Sequence, residues 1–188
     1  VAELTQLARR SPEISQRSGV SVRVSVANQE VLEAAALKRA VRLGEPVGAP
    51  RVSDLGAVVA STAGKVELET AGDESPEDRI VERLITKALH ATFSRRVSLD
   101  ELEGVVEAFE DGFTVETGDR TPSREYVAWM REVSGLEESV RRLGAFDATD
   151  GAEEPAVVAS AVEFLLEGLH LARRLNKDRI PGGTVYHR

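Results

Sequence analysis

Two short strings in the chain could touch a phosphate, and their spacing separates them. Ser61-Thr62-Ala63-Gly64-Lys65 contains the Gly-Lys pair of a phosphate-binding loop. Such a loop also needs a glycine five positions before that Gly, so that backbone N–H groups can wrap the phosphates, and a Ser or Thr after the Lys. Those positions hold Val59 and Val66, and no apolar strand precedes them. The expected role is structural: Gly64 ends a helix as its C′ residue, with Lys65 near the last carbonyls. Gly19-Val20-Ser21-Val22-Arg23 is different. Glycine gives a free turn, Ser21 can cap the helix that follows, and Arg23 falls in its first turn. A cation is unfavourable there, because the helix N-terminus already carries partial positive charge. An anion held at that terminus would account for it, drawing backbone N–H groups and the guanidinium fork onto the same oxygens. Arg17 is a second candidate contact. The alternative is a surface arginine paired with Glu13 or Glu30, and the physics of the residues leaves the two readings level.

Other residue types offer less. His90, His170 and His187 are far apart and lack the spacing of metal ligands. The first two read as structural histidines inside helices. There is no cysteine, which excludes disulfides and thiolate metal sites. No Ser/His/Asp set can be assembled, and the carboxylates lie mostly on polar helix faces, where solvation explains them.

The elements that must position Arg23 read as helix almost throughout. Residues 2–10 are a short amphipathic stretch with Leu4, Leu7 and Ala8 on one side. A long helix runs from about residue 21 to 43, its stripe read as Val24, Ala27, Val31, Ala34 and Val41, with Leu32, Ala36, Ala40 and Leu43 beside it. Gly44 ends this helix, and Arg39 and Arg42 meet the negative end of its dipole. Ser53-Asp54 is expected to cap a short helix reaching about residue 63. Ser75-Pro76 supplies an N-cap and first-turn proline for the next helix, whose stripe is Ile80, Val81, Leu84, Ile85, Ala88, Leu89 and Phe93. Ser98 with Glu101 reads as a capping box opening a helix with Leu99, Leu102, Val105, Val106 and Phe109. Residues 112–120 form a glycine-bounded loop or short hairpin arm. Thr121-Pro122 starts a helix carrying Tyr126, Val127, Met130 and Val133, and a shorter one follows at 136–143. A last helix over about 155–176 has Val158, Ala161, Val162, Leu165, Leu169 and Ala172 as its stripe, and the tail from Ile180 is expected to fray. The expected fold is all-α, divided as 1–66, a connector at 67–75, a second bundle at 76–176 and a flexible tail at 177–188.

The chain has 188 residues, 41% hydrophobic and 30% charged, with a net charge of −8. That is globular composition, large enough for a core built from Val, Leu, Ile and Ala. Residues 1–56 carry 8 basic and 6 acidic side chains, the remainder 16 and 26. The acidic second half and the lack of a basic recognition helix argue against a helical DNA-binding regulator. No run approaches the length of a membrane span and no signal-peptide pattern opens the chain, so a cytoplasmic protein is the expectation. The sequence opens at Val1 within a helical pattern, as a fragment or a non-standard start would.

The GVSVR string at residues 19–23, continuing VSVANQEVLEAAALKRAVRLGE, resembles the sensor-2 motif and lid helix of MoxR-like AAA+ ATPases. There a Gly-Ala-Ser-Pro-Arg string leads into an Ala- and Leu-rich helix, a Gly-Arg turn and a Val-Thr-Pro-Asp-Asp-Val type cap. The counterpart of the cap is Val52-Ser53-Asp54-Leu55; the departures are Val20 for alanine, Val22 for proline and Glu45 for the arginine of the turn. The strings ISQRSGVSVR, PRVSDLGAVVASTAGKVE and FLLEGLHLARRLNKDR are similar to a largely actinobacterial group of magnesium-chelatase-like ATPases. The likeness is strong over residues 11–67, patchier to 152, and returns near 160–179. It implies an AAA+ lid bundle followed by a second helical bundle. Arg23 would be the sensor-2 residue, assisting ATP hydrolysis by contact with the γ-phosphate, with Ser21 and Arg17 as further phosphate contacts. ATP and Mg²⁺ would be bound by a core upstream of Val1, and the chain alone, lacking Walker A and Walker B motifs, should be inactive. The implied partners are that core, neighbouring subunits of a ring oligomer and a von Willebrand factor A-domain protein. The competing expectation is a stand-alone helical interaction module without ATPase activity.

Overall fold

The structure, a computed structural model, describes residues 1–15, 20–63, 65–67, 77–146 and 152–188. Helices account for most of it: α1 (Ala2–Arg10), α2 (Val22–Leu43), α3 (Gly56–Thr62), α4 (Glu77–Arg96), α5 (Glu103–Glu110), α6 (Ser123–Glu132), α7 (Leu136–Arg142) and α8 (Pro155–Leu171). Short 3-10 turns at Val52–Leu55 and Leu99–Leu102 lead into α3 and α5. The chain is mostly helical, as expected, with one small sheet added. Strands β1 (Val115–Gly118), β2 (Asn176–Ile180) and β3 (Gly183–His187) form an antiparallel sheet in the order β1-β3-β2.

That sheet corrects the reading of the C-terminus. The last helix stops at Leu171, where Arg173 turns into the left-handed region at φ 60° and the Arg174 N–H bonds to the Leu169 carbonyl. Residues 177–188 are the greater part of a hairpin, not a flexible tail. Gly182 takes φ 82° in its turn, and Gly183 lies opposite Gly118 in the ladder. A Cβ on Gly118 would stand 2.3 Å from the Gly182 carbonyl oxygen, so two glycines let the strands meet.

Two apolar clusters fill the interior. One joins Leu4, Ala8, Ile14, Val20, Val24, Leu32, Val58 and Val66 to Ile80, Val81, Leu84, Ile85 and Ala88 of α4. The other takes Phe93 from the end of α4 and gathers α5–α8 with Val115 and Tyr186 of the sheet. The division between cores therefore falls inside α4. The expected connector lies outside the described residues from 68 onward, as do Gly64 and the Ser75-Pro76 cap.

Two local expectations fail for visible reasons. In α2 the buried residues are Val24, Asn28, Leu32, Ala36, Arg39 and Ala40, whereas Ala34 and Val41 are exposed. The helix carries apolar residues all round, so the buried face runs through Val24 and the flanking Leu32, Ala36 and Ala40 instead of through Ala34 and Val41. Ser98 makes no side-chain cap, and the Glu101 carboxylate pairs with Arg142 instead. No helix among the described residues is long and apolar enough to cross a membrane.

Candidate functional site

Ser21 opens α2 in extended geometry (φ −65°, ψ 147°), and its hydroxyl accepts a hydrogen bond from the Arg23 N–H at 3.2 Å. No acidic residue stands in the first turn. Val20 and Val24 are buried on either side, which anchors the turn and leaves Ser21, Val22 and Arg23 facing outward. Neither carboxylate considered for Arg23 takes it. Glu13 pairs with Arg83, and Glu30 has no ion pair among the described residues. The Arg23 guanidinium makes no hydrogen bond or ion pair among the described residues either. Among the described residues, then, no carboxylate neutralises this cation at the positive end of a 22-residue helix. Arg17 and Gly19 lie outside the described residues.

At the far end of α2, the structure assembles a buried polar network that the sequence did not disclose. Arg39, 2% exposed, bonds Asp54 through Nε at 3.3 Å and Nη2 at 2.8 Å, and reaches the Ala49 carbonyl at 2.7 Å. It is an internal brace, not a cation answering the helix dipole. Asp54 also accepts the Arg51 N–H at 2.8 Å. Arg51, equally buried, bonds the Thr121 carbonyl at 2.8 Å and the Ser123 hydroxyl at 2.5 Å, with its guanidinium carbon 4.6 Å from the centre of the Tyr126 ring. Glu45 accepts the Ser123 N–H at 2.5 Å and lies 4.0 Å from Arg39 and 3.8 Å from Arg51. An arginine at position 45 would face two buried guanidinium groups. Arg42 pairs with Asp119 at the surface.

The network continues into α8. Glu163 is almost fully buried and accepts from the Tyr126 hydroxyl at 2.5 Å, the Ser53 N–H at 2.8 Å and the Ser53 hydroxyl at 3.2 Å. Burial pushes its carboxyl above the ordinary carboxylate value, while the Tyr126 and Ser53 hydrogen bonds and the Arg51 charge pull it back. Burial followed by the Glu163 charge raises the Tyr126 phenol. One turn on, Glu167 holds Lys177 at 2.7 Å and the Tyr186 hydroxyl at 2.6 Å. These residues floor a polar cavity of about 380 Å³ beside the sheet, with Arg179 and Thr184 in its wall. Its two buried glutamates, Glu163 and Glu167, are satisfied from within the chain, so the arrangement welds α8 to the sheet and to the 50–53 loop. The Ser160 hydroxyl, donating to the Pro50 carbonyl at 2.5 Å, adds to the weld.

Of the remaining residues singled out by type, His90 is exposed on α4 and the others make hydrogen bonds or close polar contacts within the chain. The Ser61 and Thr62 hydroxyls both bond Asn28, whose amide returns a bond to Thr62 at 2.9 Å. His170 Nδ1 lies 3.1 Å from the Leu175 carbonyl oxygen, and His187 Nε2 is 3.0 Å from Asp178. Among the described residues no cluster of three or more His, Cys, Asp or Glu could hold a metal ion. Asn28 and Arg39 carried one legible signal: they sit at positions continuous with Val24, Leu32 and Ala36 on the face that is buried.

No protein-family model matches the chain, and no curated protein or solved structure does.

Proposed function

We propose that this chain is the lid and helical extension of a magnesium-chelatase/MoxR-like AAA+ ATPase, with Arg23 reading the terminal phosphate of bound ATP. The observation that carries this is the exposed Arg23 guanidinium, without a partner among the described residues, in the first turn of a helix capped by Ser21. The residues present fit an anion. The guanidinium offers a planar fork of donors, and the free N–H groups of the first turn add partial positive charge beside it. The nucleotide's γ-phosphoryl group carries the bond that is broken and the charge that develops as it leaves. Arg23 would answer that charge, and rigid α2 would carry its position to the Arg39–Asp54–Arg51 brace. From there Ser53, Ser123 and Glu163 lead into α6 and α8. Nucleotide state would thus be passed to the second helical region, which would present it to a partner such as a von Willebrand factor A-domain protein. ATP and Mg²⁺ belong to a core with a phosphate-binding loop, which this sequence does not contain.

The gene upstream of Val1 tests this. A phosphate-binding loop in frame within about 300 residues, the span of one or two domains, supports the reading. A stop codon in that interval sinks it. The alternative is a stand-alone helical interaction module, favoured by the exposed apolar residues of α2.

A further inference from the structure

Seven large hydrophobic residues are exposed among the described residues, and four of them stand on α2: Val22 at 65%, Val26 at 52%, Leu37 at 62% and Val41 at 74%. Their spacing follows the helical repeat, so they share the face turned away from Val24, Leu32 and Ala36. Over 19 residues at ~1.5 Å each the stripe is about 28 Å long. Its middle is not apolar. Glu30 and Glu33 occupy it, Glu33 accepting a 2.6 Å hydrogen bond from the Gln29 amide and Glu30 holding no partner among the described residues.

We infer that this face of α2 docks a basic amphipathic helix of a partner protein, apolar at both ends of its contact and carrying Lys or Arg between them. Covering the stripe buries four branched side chains, which is favourable, and two carboxylates, which is costly unless each meets a cation. A wholly apolar helix cannot meet that requirement. A second copy of the chain cannot either. An antiparallel pair that buries both ends sets Val22 against Val41 and Val26 against Leu37, and the same register sets Glu30 against Glu33. Four carboxylates would then meet at the two-fold axis. A basic centre removes the cost and fixes the register, because sliding the partner along α2 takes its cations off Glu30 and Glu33. The inference rests on the interaction-module reading and not on Arg23, which stands next to Val22 at one end of the stripe.

Two synthetic helical peptides test it against the full chain by fluorescence anisotropy. Both carry leucines at the two ends of one face; at the middle, one has two lysines and the other two glutamates. The lysine peptide should bind about tenfold or more tightly than the glutamate peptide. Leu37→Ser should weaken it several-fold, and Glu30→Lys with Glu33→Lys should reverse the preference. All three positions are exposed, and circular dichroism establishes that the variants keep their helices. Equal affinity for the two peptides, no binding of either, or an unchanged preference in the charge-reversed variant would overturn the proposal. A chain dimer dissociated by Leu37→Ser in sedimentation would also overturn it, by naming the second copy as occupant.

Discussion

Arg39 and Asp54 are both buried, and a charge stranded there has neither water nor a counter-ion. Arg39→Met leaves Asp54 in that condition and should cost about 3–5 kcal/mol in urea unfolding. Adding Asp54→Leu removes the stranded charge and should recover part of the loss, though the Arg51 N–H then loses its acceptor. Equal losses in the single and double variants would mean that the pair's value lies elsewhere. Glu163 makes a pH-dependent prediction. Its carboxyl is raised in the folded protein above the ordinary 4.5. A group raised on folding adds stability that is complete below its unfolded value and is lost as pH rises through the folded one. Glu163→Gln has no such titration. Relative to the native protein, that variant should therefore gain stability as pH rises from about 4.5 toward the folded value. Unfolding free energies at several pH values measure the slope, and parallel curves would refute the assignment. These residues were hidden in the sequence because a buried Arg, Asp or Glu has the same letter as a solvated one. Only their place on a buried stripe, as with Arg39 beside Ala36 and Ala40, marks them.

Among the elements, α8 is the most constrained, since it meets α4, α6 and the sheet through different faces. Its Gly168 lies against the Phe93 ring, and a Cβ there would stand 1.9 Å from a ring carbon. Phe93 in turn packs edge-on against Phe164 at 5.9 Å between ring centres. Alanine would favour the helix by up to ~1 kcal/mol but displace the ring. Gly168→Ala should accordingly lower stability by about 1–3 kcal/mol, read as a reduced denaturation midpoint. A rise in the midpoint would show that Phe93 moves without penalty. Most helices were legible because Leu, Val and Ile recur at three- and four-residue spacing, as in Leu102, Val105, Val106 and Phe109. The sheet was only half legible. Residues 112–120 could be read as a hairpin arm, but the partner strands Asn176–Ile180 and Gly183–His187 are polar and bury little beyond Tyr186. The pairing of Gly183–His187 with β1 joins residues 65 to 71 positions apart in the sequence, a relation that no local pattern contains.

Across the whole molecule, the brace around Arg51 joins the α2–α3 region to α6 and α8 through buried hydrogen bonds, not through exposed ion pairs that salt would screen. At the head of α2, the Arg23 guanidinium has no hydrogen bond or ion pair among the described residues. The position of that arginine was legible from the sequence; its lack of a partner among the described residues was not, because Glu13 and Glu30 were equally available on paper. The central claim is tested most directly by ATP turnover and ATP affinity in the full-length protein carrying Arg23→Ala. The expected result is a fall in kcat of about 10- to 100-fold, with the Kd for ATP changed by a smaller factor. Unchanged hydrolysis in that variant would contradict a role for Arg23 at the phosphate.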